Sequence, residues 1–166
     1  MPMDELDHPP RVRATTTTTT LPTPAADDAS LIAPRPGRIL VVEDRDDVRL
    51  GIEQVLELYG YQVADARDAD TALRQLQHDP DSFALILLDL VLPGSLDGWA
   101  LRDRQLSDPR MAAIPAVVMT ATEPEPAARG RLRPDGWLDK PFRVATLLAE
   151  VRRFAIPDAD GAHVPA

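Results

Sequence analysis

Ile39-Leu40-Val41-Val42 is a short unbroken apolar run, the pattern of a strand covered on both faces. Behind it, Val48, Ile52, Val55, Leu56 and Tyr59 recur at helical spacing, and Gly60 stands where it can close that helix. Tyr61 to Ala64 predict a second short strand. Ala69, Ala72, Leu73 and Leu76 predict a second amphipathic helix, ended by Asp79-Pro80. Phe83 to Leu88 is the most apolar strand of all. Pro93 and Gly94 turn the chain after it, and a third helix is expected from about Asp97 to Leu106. Ala116 to Met119 predict a fourth strand and Trp137-Leu138 a brief fifth. Val144, Leu147, Leu148, Val151 and Phe154 mark a closing helix.

Strand alternating with helix, repeated to a fifth strand, predicts an α/β fold with a parallel sheet covered on both faces. Three strands then end in polar or acidic residues: Glu43-Asp44 after the first, Asp89 after the third, Thr120 after the fourth. Lys140 lies just past the fifth. Ligands of open α/β sheets bind at that edge, so topology gathers groups that are far apart in sequence.

The flanks read differently. Residues 1–36 carry Pro9-Pro10, threonines from Thr15 to Thr20, and Pro22, Pro24, Pro34 and Pro36, with few large apolar residues and no periodicity. Such a segment buries too little surface to offset the entropy of ordering, and a disordered tail is expected; a start codon assigned too far upstream would look the same. The folded domain is expected over 37–156, and 157–166 as a shorter flexible tail. Glu123 to Pro134 is the irregular stretch inside the domain, with Pro124, Pro126, Gly130 and Pro134. Proline inside a helix costs roughly 3 kcal/mol and glycine about 1, so the fourth helix should be short, distorted or missing.

Composition narrows the functions. The formal net charge of −9 and pI near 4.7 disfavour direct contact with nucleic acid phosphates. The chain has no cysteine, which excludes disulfides, thiolate metal sites and cysteine nucleophiles. No apolar run approaches the roughly 20 residues of a membrane span, and the N-terminus has no secretory pattern, so a cytoplasmic protein is expected. Of 18 basic side chains, 17 are arginine and only Lys140 is lysine.

In a flavodoxin-like strand order of 2-1-3-4-5, the first and third strands are neighbours, which puts Glu43, Asp44 and Asp89 together. Carboxylates that close repel one another unless a cation intervenes. Mg2+ takes oxygen ligands, keeps several waters, and commonly works with one or two carboxylates and a phosphate. The same ion suits phosphoryl transfer, with Asp89 as a nucleophile that forms an acyl phosphate. Thr120 can donate its hydroxyl to a phosphoryl oxygen, and Lys140 can offer a compact ammonium where a planar guanidinium would not fit.

Four segments in order, Ile39 to Asp44, Leu87 to Gly94, Val118 to Ala121 and Leu138 to Phe142, resemble the signature regions of the CheY-like receiver domains of bacterial two-component response regulators. The resemblance covers residues 38 to about 155. It implies Asp89 as the phosphoacceptor, with Mg2+ bound by Asp44, Asp89 and the backbone carbonyl of Val91, and with Glu43 acting largely through a metal-bound water. It further implies Thr120 as the switch hydroxyl, Lys140 as the phosphate-pairing lysine, Trp137 at the place of a rotating switch aromatic, and a cis Lys140–Pro141 bond aiming the ammonium inward. Two features depart from the family pattern. The loop from Asp89 to Asp97-Gly98 is one residue longer than usual, and the fourth-helix segment about two residues shorter. That helix belongs to the face that usually changes on phosphorylation and meets partners or a second receiver, as in a weak homodimer.

Other readings of the same residues stand beside these. Asp44 can cap the following helix as well as bind a metal. Thr120 can be a strand-end residue, and Trp137 ordinary core packing. His8, His78 and His163 fall in the tails or on a helix surface and receive no role. The expected function is a single-domain response regulator. It takes a phosphoryl group from a histidine kinase or phosphotransfer protein and signals through an unnamed protein partner, without being an enzyme that turns over an external substrate. With few residues after Phe154, no output domain of its own is expected. The alternatives are a non-switching pseudo-receiver that acts as an interaction module, and an aspartate-nucleophile phosphatase. The latter lacks support because Asp89 is followed by Leu90-Val91 rather than by a second acid two positions on.

Overall fold

The computed structural model describes residues 33–122 and 124–158. Most of the expected N-terminal tail and the end of the C-terminal one lie outside the described residues, as do His8 and His163. The chain runs β1 (Arg38–Val42), α1 (Asp46–Leu58), β2 (Val63–Ala66), α2 (Ala69–His78), a single 3-10 turn (Pro80–Ser82) and β3 (Phe83–Asp89). It continues through α3 (Gly98–Ser107), α4 (Pro109–Ala112), β4 (Ala116–Thr120), α5 (Pro126–Leu132), β5 (Gly136–Asp139) and α6 (Val144–Val151). All strand pairs are parallel, in the order β2-β1-β3-β4-β5. This is the doubly wound sheet that the pattern predicts.

The period of two along each strand divides the core. Ile39, Val41, Leu85 and Leu87 face a layer that includes Ile52 and Leu56 of α1 and Leu147, Leu148 and Val151 of α6. Their neighbours Leu40, Val42, Ile86 and Leu88 face the opposite way, onto Leu73 and Leu76 of α2 and Leu101 of α3. Every residue of β3 is buried, as expected for a central strand with helices on both sides.

Several expected boundaries shift for identifiable reasons. The second strand begins at Val63, not Tyr61, because Gly60 (φ 82°) and Tyr61 are still tied to α1. Their amides donate to the carbonyls of Glu57 at 2.9 Å and Leu56 at 3.0 Å. That left-handed turn is why a glycine follows α1. The closing helix ends at Val151, although Phe154 still reaches the core.

The expected limits at 36 and 157 cut through hydrogen-bonded chain. The Arg35 amide donates to Phe154 (3.0 Å), Arg35 accepts from Ile156 (3.1 Å), and the Asp158 amide donates to Gly60 (2.8 Å). Helix α4, capped by the Asp108 side chain, was not expected at all. The irregular fourth-helix segment forms the seven-residue α5, with Pro126 in its first turn and Arg133 in the left-handed region at φ 43° just after it.

Candidate functional site

Each acidic group reaches the site because its strand ends there. Glu43 follows β1, Asp89 closes β3, and the two strands pair in register from Ile39–Leu85 to Val42–Leu88. One carboxylate oxygen from each of Glu43, Asp44 and Asp89 lies within 4.8 Å of the others. Glu43 is fully buried, Asp89 nearly so, and Asp44 is exposed at the mouth. Asp44 does not cap α1. The N-cap position belongs to Arg45, with no side-chain cap.

Lys140 comes in from the loop after β5, its position set by the bond of its amide to the Thr120 carbonyl (2.7 Å). Its Nζ lies 2.5 Å from both Glu43 Oε2 and Asp89 Oδ2. The Lys140–Pro141 peptide is cis. Burial opposes the charge on Lys140, but the hydrogen bonds and charges of Asp89 and Glu43 outweigh it, and its pKa lies above the ordinary lysine value. At Glu43 the balance tips the other way. Burial raises its pKa most, Lys140 pulls it back, and the Asp89 charge raises it further, for a net upward shift.

The remaining oxygens are also assigned. Asp89 Oδ1 accepts from the Val91 amide at 2.9 Å, and Glu43 Oε1 accepts from the Arg45 amide at 3.2 Å. The Val91 amide is thereby pinned beside Asp89, while the residue as a whole is 78% exposed. The donor set is made of oxygens alone, which suits a hard divalent ion such as Mg2+. An ammonium already seated between two of the carboxylates marks the spot as one that takes positive charge.

Thr120 stands at the end of β4, but its hydroxyl is turned into its own loop. It donates to the Thr122 carbonyl at 2.6 Å and accepts from the Thr122 amide at 3.1 Å. Trp137 is half-buried against Leu90, Val118 and Leu132. The Arg129 guanidinium stacks 4.4 Å from its ring centre. A cleft of about 240 Å³ opens between Thr120, Thr122, Arg129 and Trp137. His78 is exposed on α2 and takes no part.

Two contributors escaped the sequence reading. Gly98 begins α3 where a Cβ would collide with the Asp89 carbonyl oxygen and with the Leu90 Cα, so only glycine lets α3 close on Asp89. Arg49, 1% exposed, binds the Glu43 carbonyl from α1. Its signal was available: positions 49, 52 and 56 lie on one helical stripe, and a charge among buried apolar residues asks for an explanation.

Comparison with known proteins agrees with this geometry. Residues 39–152 match the family model of the response regulator receiver domain. The chain is 38% identical over 118 residues to the phosphate regulon transcriptional regulatory protein PhoB of Escherichia coli, covering 69% of this chain and 50% of PhoB. It thus spans about half the length of that relative. It is 32% identical to the response regulator receiver protein CpdR of Brucella abortus, covering 72% of this chain and 97% of CpdR. Among solved structures, the Vibrio cholerae chemotaxis protein CheY4 superposes with a TM-score of 0.63 at 27% identity, covering 72% of this chain and 99% of that one. The receiver domain of a Pseudomonas aeruginosa sensor histidine kinase, which has a magnesium ion coordinated in its active site cleft, gives 0.64 at 26% identity, covering 72% and 98%.

Proposed function

This chain belongs to the response regulator receiver domain family, and we propose that it accepts a phosphoryl group on Asp89 and passes the resulting change to a protein partner. The observation that carries the proposal is the meeting of Glu43, Asp44 and Asp89 with Lys140 at one edge of the sheet. The donor is a phosphohistidine on a histidine kinase or phosphotransfer protein, and the setting is cytoplasmic. No helix among the described residues is long and apolar enough to cross a membrane.

In the proposed step an Asp89 carboxylate oxygen attacks phosphorus. The O–P bond forms as the P–N bond of the donor breaks, and the leaving imidazole keeps the electron pair and takes up a proton. Mg2+, held by Glu43, Asp44, Asp89 and the Val91 carbonyl, would neutralise charge on the transferring oxygens. Lys140 gives up its contact with Asp89 and pairs with the new phosphoryl group. Thr120 rotates its hydroxyl from the Thr122 carbonyl toward another phosphoryl oxygen, and Trp137 repacks in the adjoining cleft. The group adds roughly −1.5 to −2 charges, enough to shift a surface between populations. Nothing is turned over but the protein's own phosphoryl group.

Intact-mass spectrometry with a small phosphodonor tests this reading. The protein should gain one phosphoryl group with Mg2+ present, and the gain should vanish with a chelator or in Asp89→Asn. Labelling that survives in Asp89→Asn puts the acceptor elsewhere.

A further inference from the structure

Glu43 is held at every polar atom it has. Its amide donates to the Ala66 carbonyl at the end of β2 (3.1 Å), and its two carboxylate oxygens meet the Arg45 amide and Lys140. Its carbonyl is the group that the β-ladder leaves over, and that carbonyl accepts from Arg49 Nη1 at 3.0 Å. The same guanidinium reaches Asp46 through Nη2 at 2.5 Å and Asp65 on β2 through Nε at 3.1 Å. Glu53, one turn along α1, lies 3.6 Å away. One side chain thus ties the end of β1 to α1 and to β2, directly beneath the turn that carries Asp44.

The charges are arranged to suit a cation nearby. A lone guanidinium behind Glu43 would repel a metal ion, but Asp46, Glu53 and Asp65 surround it and turn its field away from the site. What remains toward the site is directional: one N–H aimed at a carbonyl, which sets the plane of the Glu43–Asp44 peptide. Asp44 is exposed and sits between two anchored residues, because the Arg45 carbonyl is in turn bound by the Arg49 amide (2.9 Å).

We propose that Arg49 is a positioning residue for the cation site. It holds the Glu43–Asp44 peptide so that both carboxylates face Asp89, without touching the ion itself. The inference rests on the reading of the acidic cluster as a Mg2+ site and names a residue on which that site depends. Groups that orient a metal's ligands typically govern its affinity by about 10- to 100-fold.

Isothermal titration of the full chain with MgCl2 alone tests it, with no phosphodonor present. Arg49→Met should weaken Mg2+ by about 10- to 100-fold while the folded fraction, followed by circular dichroism, stays high. Arg49→Lys should fall between, since one ammonium cannot serve the Glu43 carbonyl, Asp46 and Asp65 together; it also carries the test where Arg49→Met does not fold. In labelling with a small phosphodonor, both variants should need more Mg2+ for half-maximal rate yet approach the parent rate at saturation. Variants that bind Mg2+ within about twofold of the parent overturn the positioning role. A parent chain that binds no Mg2+ overturns the cation reading itself, and the inference with it.

Discussion

Among the described residues two arginines are buried, one on each side of the sheet, and their surroundings differ in kind. Arg49 is met by the carboxylates of Asp46, Glu53 and Asp65 and by one carbonyl. Arg102, 2% exposed on α3, is met mostly by neutral acceptors: the carbonyls of Leu132 (2.9 Å) and Arg133 (2.6 Å) and the Gln105 side chain (2.5 Å). Among the described residues one carboxylate joins them, Asp135 at 3.3 Å. Burial works against the charge of both. At Arg49 the bond to Asp46 and the surrounding acids prevail and the pKa rises; at Arg102 burial prevails and it falls. The first arrangement serves a charged site nearby. The second serves the backbone, because the carbonyls it collects are those that a short helix leaves open at its C-terminus.

That role explains how α5 persists. Seven residues that include Gly130 are too few to be helical on their own account. Leu132 anchors the helix in the core, and Arg102 closes its C-terminal end. Gln105 does the same for α4 through the carbonyls of Met111 and Ile114, while Asp135 also accepts the Ala116 amide that opens β4. Arg102→Met would remove the donor to the Leu132 and Arg133 carbonyls and the charge partner of Asp135. Breaking a buried charged network from one side typically costs about 3–5 kcal/mol, so urea melts should show a loss of that order. The folded fraction should still bind Mg2+ with the parent's affinity. A Mg2+ affinity that falls as far as in Arg49→Met would erase the distinction between the two arginines.

The scaffold side comes close to the candidate site where α3 begins on the Asp89–Leu90 backbone. Gly98→Ala should therefore mix the two signatures. The added methyl meets main chain that cannot rotate away, and overpacking of that kind costs about 1–3 kcal/mol. Displacement of Asp89 should also slow its labelling at saturating Mg2+, which the arginine substitutions leave near the parent rate. A Gly98→Ala protein that is destabilised but labels normally would show that the acceptor strand is insulated from α3.

The α/β order, the strand sequence and the gathered residues were legible because each rests on a local pattern: apolar runs, helical stripes and polar strand ends. The weakness of α5 was legible too, from Pro124, Pro126, Gly130 and Pro134. What supports that helix was not. Arg102 and Gln105 read as ordinary polar positions on a helix, and only the packing shows them among buried residues, beside Leu101. The outward set of the Thr120 hydroxyl depends on a rotamer, and Arg35 joins Phe154 across nearly the full span of the described residues. Neither leaves a mark in a short window of sequence.

The finest distinction concerns Glu43, the residue that Arg49 and Lys140 both hold. Its folded pKa is raised above the ordinary 4.5, first by burial, against the pull of Lys140. The metal-free folded state therefore binds a proton more tightly at Glu43 than the unfolded chain does, and loses stability from this residue as pH climbs from 4.5 through the raised value. Mg2+ needs the ionised carboxylate, so binding in that window must release the proton. Apparent affinity should then rise with pH by at most about tenfold per unit, and level off once Glu43 is already ionised. Titrations in buffers of different ionisation enthalpy would read the released proton directly. Glu43→Gln should bind more weakly, with this part of the pH dependence gone. An unchanged slope in Glu43→Gln would assign the proton to another group, and would leave Glu43 a structural partner of Arg49 and Lys140 rather than a ligand in waiting.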